Sequence, residues 1–367
     1  MFLHKELLKL GGLGISLYKL FQATPSPEEP IVYLLRDEFT TPQAAPISSP
    51  RTCEPGPGTI TISSGVSISG GQAAVPAANG LTTPLTAYQP GIVFKHQSRV
   101  LGMSNEDYAF GWLKAASFAT RPPSNTYGFF VTSNYAISIA FGGSGLGATG
   151  YATGGNNVTW CHVLADPYYF LVADSKLIYV LRNPFAFTSA YGIECTRING
   201  RSVERVLVTV LGSPWNTSHG VATDFLLTAL AGDTITAAAD AFIQAIWTAV
   251  AGETWELMIR RTDDDNCWII RCSQAGSTIK LIQKEGGVET ERASAAQTWA
   301  NGSTYRLVVI ADTQAIFNFV GEERKNTYAS ASFNQTATGV KTSHAVNNLI
   351  AWPRVLSGAA LAALEAV

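Results

Sequence analysis

The sequence predicts an all-β chain, two consecutive antiparallel β-sandwiches behind a short helical N-terminal arm. Hydrophobic residues make up 46% of the 367 residues and charged residues 14%, with 33 glycines, a composition suited to compact, strand-rich folding and not to disorder. From Ile31 onward apolar residues recur with period two. In "GTITISSGVSISGG", Ile60, Ile62, Val66 and Ile68 alternate with Thr and Ser, the pattern of a half-buried antiparallel sheet. Turn signals recur roughly every eight to twelve residues, as in sandwiches.

The arm comes first. Residues 1–30 open with an apolar, Lys-containing stretch that differs from a signal peptide: Lys5, Lys9 and Lys19 interrupt it, and the uncharged run Leu10 to Tyr18 is too short to span a bilayer. Leu7, Leu8 and Leu10, then Leu17, Leu20 and Phe21, fit a short helix broken at Gly11-Gly12 and followed by the linker Thr24 to Pro30. The stretch reads as an anchoring arm, with a helix packed on its own domain as the alternative.

The strands of the first sandwich, residues 31–205, are expected at "IVYLLRDEF", then at 92–96, 108–115, 128–132, 135–141, 159–165, 168–173 and 176–183. The second, residues 206–367, reads as a meander with strands at 254–261, 267–273, 277–285, 288–294, 304–312 and 315–321. Helical pattern is expected in part of "TAAADAFIQAIWTAV" (236–250) and in a short C-terminal helix, with Ser357 as N-cap and Leu361 and Leu364 on one face. An internal echo supports two units with their own cores and a limited interface: Thr159 to Asp166 and Thr304 to Asp312 both read Thr-aromatic, apolar strand, Ala-Asp, and an aromatic strand follows each. Asn199-Gly200 is a turn signal close to the expected boundary.

Those hairpins, together with the closing segment from Trp352-Pro-Arg-Val-Leu-Ser to Leu364, resemble the concanavalin A-like (laminin-G-like) jelly-roll family. "LLRDEFTTP" with "EPGPGT", and "GETWELMIRRTDDDNCWIIRC", resemble sandwich modules of structural and tail proteins of tailed bacteriophages. The resemblance covers about Ile31 to Val367 and implies two tandem concanavalin A-like jelly rolls. Its motifs are structural, so they bear on fold before activity. The acidic residue that the family carries in its last helix comes late here, at Glu365.

The resemblance also implies what a hydrolase on this fold would need, a Glu-x-Asp-x-x-Glu strand, and none exists. Glu253 and Glu256 are three apart and face opposite sides of an extended strand, while Glu289 and Glu291 share a face without a third member. Gly145 to Gly150 satisfies GxGxxG, but no helix pattern follows to hold a pyrophosphate, and the stretch reads as a flexible loop. His162 lies inside a strand and reads as a packed or surface imidazole. The five cysteines, at 53, 161, 195, 267 and 272, have no CxxC spacing, which indicates neither a zinc site nor a disulfide framework. Asp263, Asp264 and Asp265, followed by Asn266, are the candidate metal ligands. A solvated hairpin tip explains them without calcium, since the alternating EF-hand ligands, central Gly and distal Glu are missing.

A net charge of -2 and the lack of a basic run give no reason to expect nucleic acid or an anionic membrane as partner. The sequence therefore leads to a non-enzymatic structural virion protein of a bacteriophage, a tail, fibre or capsid-decoration component without cofactors. Its expected partners are other virion proteins, copies of itself and a host-surface glycan. The alternative is a secreted or surface carbohydrate-binding lectin module.

Overall fold

A computed structural model describes residues 33–365 apart from connecting segments, the longest being 101–107, 114–125, 212–233 and 330–337. The expected arm over 1–30, the Ser357 cap and the Asn199-Gly200 turn lie outside the described residues. The rest is nearly all β, in four antiparallel sheets.

The chain opens with β1 (Tyr33–Asp37), β2 (Arg51–Thr52), β3 (Thr59–Ile62), β4 (Ser67–Ser69), β5 (Gln72–Val75), β6 (Gly80–Thr82) and β7 (Thr86–Ala87). Longer strands follow: β8 (Ile92–Val100), β9 (Tyr108–Leu113), β10 (Thr126–Val131), β11 (Ala136–Phe141) and β12 (Ser144–Ala152). Next come β13 (Asn157–Ala165), β14 (Tyr168–Ala173), β15 (Lys176–Arg182), β16 (Ser189–Thr196) and β17 (Arg201–Val210). The second half holds β18 (Thr234–Ala237), β19 (Ala241–Thr248), β20 (Thr254–Asp263), β21 (Asn266–Ser273), β22 (Thr278–Glu285) and β23 (Val288–Ala296). It ends with β24 (Thr304–Asp312), β25 (Ala315–Val320), β26 (Glu323–Ala329), β27 (Thr338–Thr342), β28 (Asn348–Pro353) and the helix α1 (Gly358–Glu365).

Sheet I runs β15-β14-β13-β8-β17-β5-β4 with β1 beside β17, and sheet II runs β12-β11-β10-β9-β16-β6-β3-β2 with β7 on β16. Sheet III runs β18-β27-β20-β21-β22-β23 and sheet IV β26-β25-β24-β19-β28. The order β15-β14-β13-β8-β17 thus recurs as β26-β25-β24-β19-β28, and β12-β11-β10-β9-β16-β6 recurs as β23-β22-β21-β20-β27-β18. The two hairpins of the sequence echo, β13-β14 and β24-β25, occupy matching places. In the described pairings no sheet mixes strands from the two halves.

The boundary differs from the expected one. Residue 205 lies inside β17, whose residues Val206 to Val210 pair with β8 and extend sheet I to Val210. The interface between the halves is not limited either. Sheet IV has two buried faces. One, with Ile243, Trp247, Leu307, Val309 and Leu349, packs on Trp255, Leu257, Trp268 and Ile270 of sheet III. The other, with Phe242, Ile310, Phe317, Phe319, Ile350 and Trp352, joins the core of the first half. Trp352 meets Tyr168 edge-on at 5.4 Å between ring centroids, and Tyr179 meets Phe242 at 5.2 Å. Edge-to-face aromatic pairs add to the large apolar area that such rings withdraw from water.

This double burial explains the failed helix expectation over 236–250. Residues 241–245 are all buried, Ala241 to Thr248 pair with β24, and Ala241 to Ile246 also pair with β28. A strand covered on both faces is apolar at every position, and periodicity alone does not separate it from a buried helix. Gly145 to Gly150, expected to be a loop, lies in β12 and pairs with β11. The C-terminal helix forms as expected, with Leu364 buried and Leu361 packed on the core.

Candidate functional site

The triple-Asp stretch forms the tip of the β20-β21 hairpin, with Asp263 paired to Asn266 and Asp264-Asp265 as the two turn residues. The Asp263 carboxylate accepts the Asp265 N–H at 2.8 Å and the Asn266 side-chain amide at 2.9 Å, and these bonds hold its pKa below the ordinary value. Asp264 accepts from Arg261 at 2.8 Å and Lys341 at 3.0 Å, which lowers its pKa as well. Asp265 pairs with Lys284 at 3.4 Å. The three carboxylates turn to three different sets of donors, the local bonding expected of Asp in turns.

The chemistry-bearing surface lies next to this hairpin, on the face of sheet III turned away from its core. Strand alternation sends Trp255, Leu257, Trp268 and Ile270 inward and leaves Glu256, Met258, Ile269 and Arg271 on the other face. Cross-strand register then builds the site in rows. Thr254, Ser273 and Thr278 form one, Glu256, Arg271 and Lys280 the next, and Met258, Ile269 and Ile282 a third. The last row, with Cys267, makes a small buried apolar cluster beside the polar rows.

A cleft of ≈ 530 Å³ opens over Thr254, Arg271, Thr278, Lys280, Glu289 and Glu291. Arg271 bridges two strands: its Nε donates to Glu256 and its Nη2 to Glu289 at 2.9 Å. Lys280 donates to Glu291 at 2.7 Å. The hydrogen bond from Arg271 holds the Glu289 carboxyl below its ordinary pKa, and the same bond raises the pKa of Arg271. The cleft therefore presents hydroxyls, a guanidinium and an ammonium alternating with carboxylates that are paired to those cations. Such an array gives and accepts hydrogen bonds at fixed spacing.

Glu289 and Glu291 do share a face, as their spacing predicts, but each is matched to a cation. Glu253 lies outside the strand, 3.5 Å from His344. A glycosidic general acid needs a carboxyl kept protonated by a raised pKa, and Glu289 is shifted the other way. Arg271 and Lys280 were not singled out from the sequence. The alternate residues of "STIKLIQKE" and "VETERAS" put Lys280 on one strand face and Glu289 with Glu291 on another, while Arg271 lies in "CWIIRCS", and only register shows which cation meets which carboxylate.

His162 lies in the core of the first half, fully buried, with Nε2 3.1 Å from Nε2 of His96 and Nδ1 2.8 Å from the Tyr169 hydroxyl. Burial pushes its pKa down to about 3. Cys53, Cys161, Cys267 and Cys272 are buried free thiols, raised in pKa chiefly by desolvation. A charged network joins the halves elsewhere. Arg354, of the closing motif, donates to the Ile178 carbonyl at 2.6 Å and to Asp312 at 2.8 Å, and Lys176 meets the same Asp312 oxygen at 2.8 Å. Arg260 reaches Asp240 from a left-handed backbone, φ 46°, inside a bulge of β20. Bulges redirect side chains in this way, and no sequence signal marks this one.

Among the described residues no group of three or more His, Cys, Asp or Glu side chains is arranged to hold a metal ion, and no helix is long and apolar enough to cross a membrane.

No family model and no curated protein matches the chain. Among solved structures it is similar to a carbohydrate-binding module from Bacillus subtilis, with 11% identity, 35% of this chain and 83% of that one covered, and a TM-score of 0.28. It is also similar to a Caenorhabditis elegans galectin, with 10% identity, coverage of 36% and 99%, and a TM-score of 0.31. A third is a structure described with endo-acting O-glycanases of the human gut microbiota, with 9% identity, coverage of 49% and 100%, and a TM-score of 0.35. At these scores the likeness transfers neither residue roles nor activity to this chain.

Proposed function

We propose that the protein is a non-enzymatic, glycan-binding protein made of two concanavalin A-like jelly rolls in tandem. The observation that carries this reading is the sheet III cleft, where Arg271, Lys280, Thr254 and Thr278 alternate with the ion-paired carboxylates of Glu289 and Glu291. Vicinal sugar hydroxyls are donors and acceptors together, and fixed ion pairs between strands offer both complements without rearrangement. Absence of catalysis is supported by the pairing of Glu289 and Glu291 with Arg271 and Lys280, and by the lowered pKa of Glu289, which is opposite to what a general acid needs. The repeated strand order of the two halves supports the tandem arrangement.

A glycan array followed by calorimetry on the best hits tests the reading. Saturable binding lost in Arg271→Met, with the glycan recovered intact, supports it. Absence of glycan binding, or release of new reducing ends, overturns it.

The second reading, a structural component of a phage virion, rests on the resemblance of "LLRDEFTTP" and "GETWELMIRRTDDDNCWIIRC" to tail modules. A sugar-binding virion protein satisfies both readings. Mass spectrometry of purified particles separates them, since a virion component is recovered at fixed stoichiometry and a free lectin is absent.

A further inference from the structure

In sheet I, Cys161 and His162 are neighbours on β13 and so point to opposite faces. His162 faces the core pair described above, while Cys161 sits opposite Lys95 of β8, and Lys95 sits opposite Leu207 of β17. On this second face lies a cavity of ≈ 330 Å³. Its wall includes Lys95, Thr159, Ser175 and Arg205, and the end of α1 closes it with Leu364 and Glu365. The volume falls within the range of small-molecule pockets.

Two cations converge here. Lys95 is 4% exposed, and its Nζ donates to the Leu364 carbonyl at 2.7 Å, which fixes the ammonium against the helix end. Arg205 lies on the same face, two residues before Leu207, immediately after a bulge. Val203 pairs with Ser98 and Arg205 with Gln97, leaving Glu204 as the extra residue. Bulges bend a strand and locally increase its twist. Glu204 is held by Gln72 and Asn157 instead of by Arg205. Among the described residues Arg205 makes no ion pair, and its Nε is buried without a hydrogen-bond partner. Two carboxylates share the cavity wall with these cations: Asp174, which already accepts the Thr159 N–H at 3.0 Å, and Glu365, which is exposed.

A buried guanidinium nitrogen without an acceptor is costly, and a neighbouring buried ammonium adds like-charge repulsion. An oxyanion in the cavity offsets the repulsion between the two cations and gives the guanidinium an acceptor. The planar guanidinium fork matches a carboxylate or phosphate with two parallel hydrogen bonds, which an ammonium cannot do.

We propose that this cavity is a binding site for a small oxyanion-bearing ligand, gripped by Arg205, faced by Lys95 and bounded by the hydroxyls of Thr159 and Ser175. The site is separate from the sheet III cleft and does not depend on the glycan reading. The shared chemistry is the oxyanion, which an acidic sugar or free phosphate can supply.

The test is calorimetric titration of the full-length protein with glucuronate, inorganic phosphate and, as the neutral control, glucose, at constant ionic strength. The expected result is saturable binding of glucuronate, phosphate or both, and none of glucose. Glucuronate alone identifies an acidic sugar as the source, and phosphate alone identifies the free ion. Arg205→Gln should weaken binding by about tenfold or more. Arg205→Lys keeps the charge but removes the fork, so it should weaken binding too while preserving the fold. Arg271→Met should leave this binding unchanged. The proposal is overturned if neither anion binds, or if both Arg205 variants bind as tightly as the wild type.

Discussion

Acidification should destabilise this protein through His162. The imidazole is fully buried between His96 and Tyr169, and burial depresses its pKa to about 3, whereas an unfolded histidine titrates near 6.5. The folded state is thus the poorer proton acceptor. The stabilisation of the neutral imidazole is fully present above about pH 6.5 and is lost as pH falls from there towards 3. Integrating proton uptake by the unfolded chain between pH 7 and pH 5 gives a loss of about 2 kcal/mol from this residue, rising to about 4 kcal/mol at pH 3. Carboxylates of depressed pKa, Glu289 and Asp264 among them, act in the same direction at lower pH, so the His162 share must be isolated. His162→Gln keeps polar atoms near both partners but does not titrate. Urea denaturation of wild type and variant at pH 7, 6 and 5 isolates the term. The variant should be less stable at pH 7 yet lose about 2 kcal/mol less than the wild type on going to pH 5. Parallel pH profiles for the two proteins would refute the claim that a neutral His162 is held in the core.

Four further outcomes follow from the same geometry. Trp352→Ala, which empties the junction where Tyr168, Phe170 and Phe242 meet the indole, should cost about 3–5 kcal/mol in chemical denaturation, and a loss below about 1 kcal/mol would contradict a shared core. Arg354→Ala removes one of the cations paired with the Asp312 carboxylate and the donor to Ile178; a destabilisation of about 3–5 kcal/mol is expected, greater than that of Lys280→Ala, whose pair is more open to solvent, in the same assay. Replacing Asp263, Asp264 and Asp265 together by Asn should move the thermal midpoint little, and calcium or EDTA should leave the wild-type melt in place; a calcium-dependent rise lost in the triple variant would contradict the turn reading. Glu289→Gln should lower affinity in the glycan titration while leaving the circular dichroism spectrum unchanged, because it alters an acceptor at the exposed rim of the cleft; unaltered affinity would place the glycan elsewhere.

Local pattern was enough for the strands whose faces differ in exposure. Ile60 and Ile62 alternate with Thr59 and Thr61 because only one face of β3 is buried, and β20 shows the same alternation from Thr254 to Ile259. The Thr-aromatic-Asp echo was likewise legible, because strand, turn and strand are adjacent in sequence and each hairpin forms from its own residues. The triple Asp read as a turn for the same reason: its bonds to Asp265 N–H and Asn266 are local.

What needed the tertiary structure depends on partners distant in sequence. Residues 241–245 read as helical because burial on both faces erases the period-two signal, and only β24, β28 and the aromatic layer of the first half define them as a strand. The junction was illegible because Tyr179 and Phe242, or Arg354 and Ile178, meet only after both halves have folded. The rows that set Arg271 beside Glu289 depend on the register of three strands, and a shift of one residue would turn every one of these charges to the other face. Residue type and local period specified which segments become strands. Long-range pairing decided which polar side chains share a surface, since the spacing of residues along one strand contains no information about its neighbour.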